Sequence, residues 1–148
     1  TYVSQTTLSL DDTNSIVSIL YDRFPEILKP KSSDICYATQ NRQDAVKQLA
    51  LESDYIIVIG SSNSSNSNRL KELAEKCGTP SILIDDHNEL HFPTLFAYKK
   101  IGVTAGASAP ESVVQGVVKA LCETLNAEAT ELGENKEDIF FRLPPDLR

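Results

Sequence analysis

The chain has 148 residues, 41% of them hydrophobic, and 21 acidic against 14 basic side chains give a net charge of −7. That length suffices to bury roughly 70% of the unfolded surface in one core, and that charge excludes a general nucleic-acid or anionic-membrane binder, which needs clustered Lys and Arg. No run approaches the roughly 20 apolar residues of a membrane span, and the first residues lack the basic-then-apolar order of a signal peptide, so the expected setting is the cytoplasm or an organelle.

The chain opens on Tyr2 to Leu8, a strand-like run without a lead-in and in a sequence without methionine, which predicts a further portion upstream. A helix opens near Asp11-Asp12-Thr13 with Ile16, Ile19 and Leu20 as its apolar face, and Pro25 and Pro30 end that unit. A second strand is expected around Ile35 to Ala38, feeding a helix from Asn41 through Ala45, Val46 and Leu49. A third strand, Tyr55 to Ile59, feeds a helix from about Asn66 to Lys76 that Gly78 closes. Ser81 to Ile84 reads as a fourth strand stopping at Asp85-Asp86. Ile101 to Thr104 reads as a fifth, leading through Ala105 to Pro110 into a helix faced by Val113, Val117 and Leu121. Ile139 to Leu143 reads as a last short strand after the polar segment Thr130 to Glu137. Strands alternating with helices of this length predict small parallel βαβ units, so the fold class is α/β.

Small polar residues sit where strands hand over to helices, at Gln5 to Thr7, Ala38 to Gln40, Ser61 to Ser67 and Thr104 to Ser108. Ligands of open parallel sheets bind outside those carboxyl ends. The run Ser61-Ser62-Asn63-Ser64-Ser65-Asn66-Ser67 is the densest such stretch. Gly60 permits a sharp turn, and the hydroxyls of Ser64 and Ser65 can donate to phosphate oxygens beside the positive end of the following helix. The run reads equally as a solvated loop with Asn66 or Ser67 as N-cap. It contains neither GxxxxGK[ST] nor GxGxxG.

Ser108 stands three residues before Glu111, the spacing of a capping box, and could alternatively offer its hydroxyl to a second phosphate. Asp11-Asp12 and Asp85-Asp86 read as a cap and a turn rather than a divalent-ion site. A receiver-like phosphoacceptor would need an Asp where Gly60-Ser61 stands. The three cysteines, Cys36, Cys77 and Cys122, are an odd number without CxxC spacing, against a disulfide framework or a self-contained metal site. Cys77 and Cys122 are expected to be small buried apolar residues. Cys36 is expected at the rim, where a thiolate serves as a nucleophile or as one ligand of a metal centre completed from elsewhere. Only His87 and His91 could form a Cys-His pair with it, and nothing specific supports that pairing.

Four ordered motifs, Gln5-Thr6-Thr7-Leu8-Ser9, Ile35 to Gln43, Ser64 to Leu70 and Gly102 to Pro110, closely resemble those of the LytB/IspH family. That family reduces 4-hydroxy-3-methylbut-2-enyl diphosphate to isopentenyl and dimethylallyl diphosphates, the last step of the methylerythritol phosphate route to isoprenoids. The resemblance weakens after about Asn126. It implies a trefoil of three α/β units around a 4Fe-4S cluster held by three cysteines, with electrons from ferredoxin or flavodoxin. It also implies a bacterial cytoplasmic or plastid-type setting. By resemblance Cys36 is one cluster thiolate, Ser64, Ser65, Asn66 and Ser108 bind the diphosphate, and Thr6 lines the site near the reacting hydroxyl. The family's other two cluster cysteines, its histidines and its proton-delivering glutamate have no counterpart here, so no certain catalytic residue is expected in this chain. The chain is therefore expected to be a carboxyl-terminal part that works with a missing amino-terminal part: the end of the middle unit (1–33), the third unit (34–126) and a tail (127–148). The competing expectations are a noncatalytic phosphate-binding or interaction module of the same fold, and a thiol enzyme using Cys36.

Overall fold

The computed structural model describes residues 1–30 and 33–133. In chain order its elements are α1 (Leu10–Arg23), α2 (Tyr37–Glu52), β1 (Tyr55–Ile59), α3 (Ser65–Lys76), β2 (Ser81–Ile84), a 3-10 turn (His87–Glu89), α4 (Phe92–Leu95), β3 (Ile101–Ala105) and α5 (Glu111–Leu125). The three strands form one parallel sheet in the order β2-β1-β3, with Ile57 opposite Ile82 on one side and Val103 on the other.

Successive side chains of a strand leave opposite faces, so β1 feeds two cores. Ile56 and Val58 pack with Val46 of α2 and with Leu70, Leu73 and Ala74 of α3. Ile57 and Ile59 pack on the other face with Ile84, Leu95 of α4, and Val117 and Leu121 of α5. All four β1 side chains are fully buried. The chain leaves β1 through α3 to reach β2, then crosses to the opposite side of β1 to form β3. Strand order thus reverses at β1, and the turns that leave the carboxyl ends of β1 and β3 border a crevice there.

The α/β class, the three sheet strands, α3 and the buried face of α5 match the reading of the sequence. Two expected strands do not form. Tyr2 to Leu8 is irregular, because no described strand lies beside it. Its backbone groups are taken by side chains and by the start of α2. The Ser4 N–H donates to Asp34 Oδ2 (2.7 Å). The buried Gln43 side chain accepts from the Leu10 N–H (2.9 Å) and donates to the Leu8 carbonyl (2.8 Å). Ile35 to Ala38 is no strand either: Cys36 is the extended N-cap of α2, and the helix starts at Tyr37, four residues before the expected Asn41. The expected strand Ile139 to Leu143 lies outside the described residues.

Helix α1 also departs from expectation. Its N-cap is Ser9, whose Oγ accepts from the Asp12 N–H (3.2 Å), and not the Asp11-Asp12 pair. None of its residues is buried; Ile16 and Ile19 are 60% and 65% exposed, so the expected apolar face covers no part of the core. Besides the bond from Leu10 to Gln43, its acidic first turn ties α1 to the domain, through Asp11 to Lys47 of α2 and Asp12 to Lys76 of α3, each 2.9 Å.

The Lys76 ammonium holds the Asp12 carboxyl below its ordinary 3.8. A carboxylate with a lowered folded pKa stabilises fully above 3.8 and loses that contribution as pH falls through its lower folded value. Both partners are half-exposed, so the pair contributes less than about 1 kcal/mol. Urea unfolding followed from about pH 6 to about pH 3 is expected to show this loss in the parent chain and not in Lys76→Ala. A separate expectation concerns Gln43→Leu, which removes both bonds to the Leu8–Leu10 backbone. It should destabilise by about 1–3 kcal/mol and speed amide exchange around Leu8 and Leu10 before it affects β1.

Candidate functional site

The crevice at the end of β1 is built by the turn Gly60 to Ser64. Ser64 is the N-cap of α3, its Oγ accepting from the Ser67 N–H (3.3 Å). Asn68 reaches back with Nδ2 to the carbonyls of Ser62 (2.7 Å) and Ser64 (2.9 Å) and folds the serine turn onto the helix start. Asn66 and Ser67, each a sequence candidate for the cap, therefore lie inside the first turn of α3. Both are buried, at 6% and 0% exposure. Neither Asn66 Nδ2, Asn66 Oδ1 nor Ser67 Oγ has a hydrogen-bond partner. An unmet buried polar group costs about 1–3 kcal/mol. Together with the first-turn N–H groups, which no intrahelical carbonyl can satisfy, these orphaned atoms make the start of α3 a candidate site for an anion.

The end of β3 forms the opposite arm. The Gly106 N–H donates to the Ile59 carbonyl (2.8 Å), and a turn closed by the Ala109 N–H on the Gly106 carbonyl (3.0 Å) presents Ser108. The capping box expected of Ser108 and Glu111 does not form. The N-cap of α5 is Pro110, with φ −65° and ψ 137° and no side-chain cap bond. Proline biases the residue before it away from helical geometry, so α5 cannot begin early enough for Ser108 to cap it. Its exposed hydroxyl borders a cavity of about 200 Å³ shared with Gly60, Ser61 and Asp85. The Asp85 carboxylate makes that wall unfavourable to an anion, which leaves the Asn66 and Ser108 sides.

Beside these arms stands Cys36, exposed at the start of α2. Its Sγ lies 3.1 Å from the hydroxyl of buried Thr39. That hydroxyl, with backbone N–H groups of the first helical turn, holds the thiol below its ordinary value. The Cys36 N–H donates to the Thr6 carbonyl (3.1 Å), which holds the Thr6 backbone against the start of α2. Arg42 joins this corner to the anion arm, with Nε on the Ala105 carbonyl (3.2 Å) and Nη1 on the Ala38 carbonyl (3.4 Å).

Cys77 and Cys122 are not the buried apolar residues expected. Cys77 is exposed at the C-cap of α3 and Cys122 is half-buried late in α5. A 12-residue helix is about 18 Å long, so Cys77 sits at the far edge of the sheet from Cys36. His91 bonds Thr94 (2.7 Å), and Asp86 Oδ1 accepts from the Asn88 N–H (2.7 Å) in the 3-10 turn. Among the described residues no three His, Cys, Asp or Glu side chains gather into a metal-binding group. The sequence reading passed over Ser67 as anything but a cap, and over Arg42 and the buried, unpartnered Thr7 hydroxyl. The one signal for Ser67 was a small residue at the third helical position facing two strand-end glycines.

The family model described as LytB protein matches residues 1–122. The 4-hydroxy-3-methylbut-2-enyl diphosphate reductase of Ectopseudomonas mendocina is 55% identical over 147 residues, covering 99% of this chain and 47% of that protein. That of Pseudomonas aeruginosa is 52% identical over the same shares. The solved structure of the E-1-hydroxy-2-methyl-but-2-enyl-4-diphosphate reductase from Plasmodium falciparum superposes with a TM-score of 0.90 at 36% identity, over 99% of this chain and 46% of that one. The chain thus spans about half the length of the relatives it matches.

Asn66→Ala is expected to leave urea stability unchanged or raise it by about 1 kcal/mol, since it deletes a buried donor and acceptor that have no partner. The same change should weaken binding of inorganic pyrophosphate measured by calorimetry. A loss of stability instead would show that the Asn66 amide holds the fold.

Proposed function

The chain belongs to the LytB family, and we propose on that premise that it forms the carboxyl-terminal part of an iron-sulfur reductase. That enzyme removes the hydroxyl of 4-hydroxy-3-methylbut-2-enyl diphosphate and yields isopentenyl and dimethylallyl diphosphates. The observation that carries the reading is the buried, unpartnered Asn66 side chain at the start of α3, facing the turn that presents Ser108. Two phosphoryl groups need two sets of donors. Ser64, Ser65 and Asn66 supply one set together with the N–H groups of α3, and Ser108 supplies the other across Gly106. These donors are neutral, in keeping with a chain that has no basic cluster to spare.

Cys36 fits one ligand position of a 4Fe-4S cluster. A thiolate is the form that binds iron, and the Thr39 hydroxyl and the α2 N-terminus favour it. The absence of a second cysteine nearby agrees with a single thiolate from these residues and the others from an amino-terminal part. When bound, the cluster would pass on two electrons, drawn from ferredoxin or flavodoxin, which with two protons replace the hydroxyl by hydrogen and release it as water. The chain's own residues hold the two ends of the problem. The serine arms fix the diphosphate, and Thr6, linked through its carbonyl to Cys36, stands where the allylic end meets the cluster. In this reading residues 1–33 close the middle unit of a three-unit trefoil, 34–126 form the third unit and 127–148 the tail.

Anaerobic reconstitution with iron and sulfide is the test. The 148 residues alone are expected to give neither a stable cluster nor reductase activity, while addition of the amino-terminal half of a LytB reductase restores both, and Cys36→Ser abolishes the restoration. A stable, active cluster in the chain alone would overturn the proposal.

A further inference from the structure

The side chain of Ser67 stands at the one point where the two arms of the anion site meet. It is 0% exposed, and its Oγ has no hydrogen-bond partner. A Cβ placed on Gly60 would lie 2.2 Å from that Oγ, and a Cβ placed on Gly106 would also lie 2.2 Å from it. Gly60 opens the β1 arm and Gly106 opens the β3 arm, and the two turns are held together at their start by the bond from the Gly106 N–H to the Ile59 carbonyl. The Ser67 hydroxyl therefore fills the space that both glycines leave empty. The next neighbour of Gly106 in that space is Asn66 Nδ2, at 3.7 Å. Ser67 also anchors the cap, since its N–H donates to Ser64 Oγ.

The geometry assigns to Ser67 the role of a positioning residue: a hydroxyl-sized spacer that sets the separation between the Ser64–Asn66 arm and the Ser108 arm and thereby the preference for a diphosphate over a single phosphate. This deepens the reading of the site as a diphosphate cradle and rests on it. A diphosphate engages both arms and so depends on their span, whereas orthophosphate is satisfied by one. A change in the spacer alters the ratio of the two affinities, which a general loss of folding would not do.

The test is a mutant cycle on the 148-residue chain, with inorganic pyrophosphate and orthophosphate as probes in calorimetry and urea unfolding in parallel. Gly106→Ala drives a methyl against the Ser67 hydroxyl and is expected to weaken pyrophosphate binding by about tenfold or more while orthophosphate changes less than about threefold. Adding Ser67→Ala removes the Oγ and leaves only the Cβ, 3.4 Å from the new methyl. The double variant is therefore expected to return to within about threefold of Ser67→Ala alone, a strongly non-additive cycle. Should Gly106→Ala fail to fold, recovery of both fold and pyrophosphate binding in the double variant supports the assignment equally. Additive effects, or equal losses for the two anions, overturn it while leaving the cradle intact. A parent chain that binds neither anion overturns the cradle itself, and the spacer with it.

Discussion

The central strand β1 is the constraint on which the rest depends. Among the described residues its flanking strands pair with it and with nothing else, and each of its alternating isoleucines and valine seeds one of the two cores. Parallel strands need crossovers; α3 makes the one from β1 to β2, while α5 leaves β3 and packs on the opposite face of the sheet, so both helices start at the carboxyl end of the strands. The anion site follows from that topology. Its two arms are the two turns that leave the carboxyl ends of β1 and β3, and they are adjacent because those strands are hydrogen-bonded neighbours.

What the sequence made legible was what local chemistry decides. Tyr55 to Ile59, Ser81 to Ile84 and Ile101 to Thr104 are short apolar runs bounded by turn residues, and a buried parallel strand leaves few other readings for them. The serine-asparagine turn was legible for the same reason, as small donors beside a helix start. What failed was whatever depends on a neighbour. Tyr2 to Leu8 looks like a strand, but a strand exists only if an edge is available, and Gln43 and Asp34 take its backbone groups instead. The start of α2 was hidden because its N-cap is a cysteine that makes no cap bond.

The functional residues divide along the same line. Ser64, Ser65, Asn66 and Ser108 could be named from residue type and position, and they lie on the two turns that leave β1 and β3. Ser108 was misread in its local role because the spacing to Glu111 was given more weight than Pro110, which sets where α5 can begin. Ser67 and Arg42 were passed over, since each owes its importance in part to a contact with the end of β3, about 40 or more residues away along the chain. The apolar face of α1 is the opposite case. The helix expected from the pattern forms, but the face the pattern assigns to the core does not, since Ile16 and Ile19 have nothing described to cover them.

A cradle of hydroxyls, an amide and peptide N–H groups on a chain of net charge −7 also has kinetic consequences. Sites lined with lysine and arginine draw phosphates in from a distance and lose that pull as salt is added. In the proposed reading the long-range field of the chain opposes an approaching diphosphate, and only within hydrogen-bonding reach does attraction take over. Salt screens fields beyond about 10 Å at 0.1 M, so added salt should hasten capture rather than slow it, a sign that association rates at varied ionic strength would read directly. Selectivity among anions in such a site resides in how slowly the right one leaves.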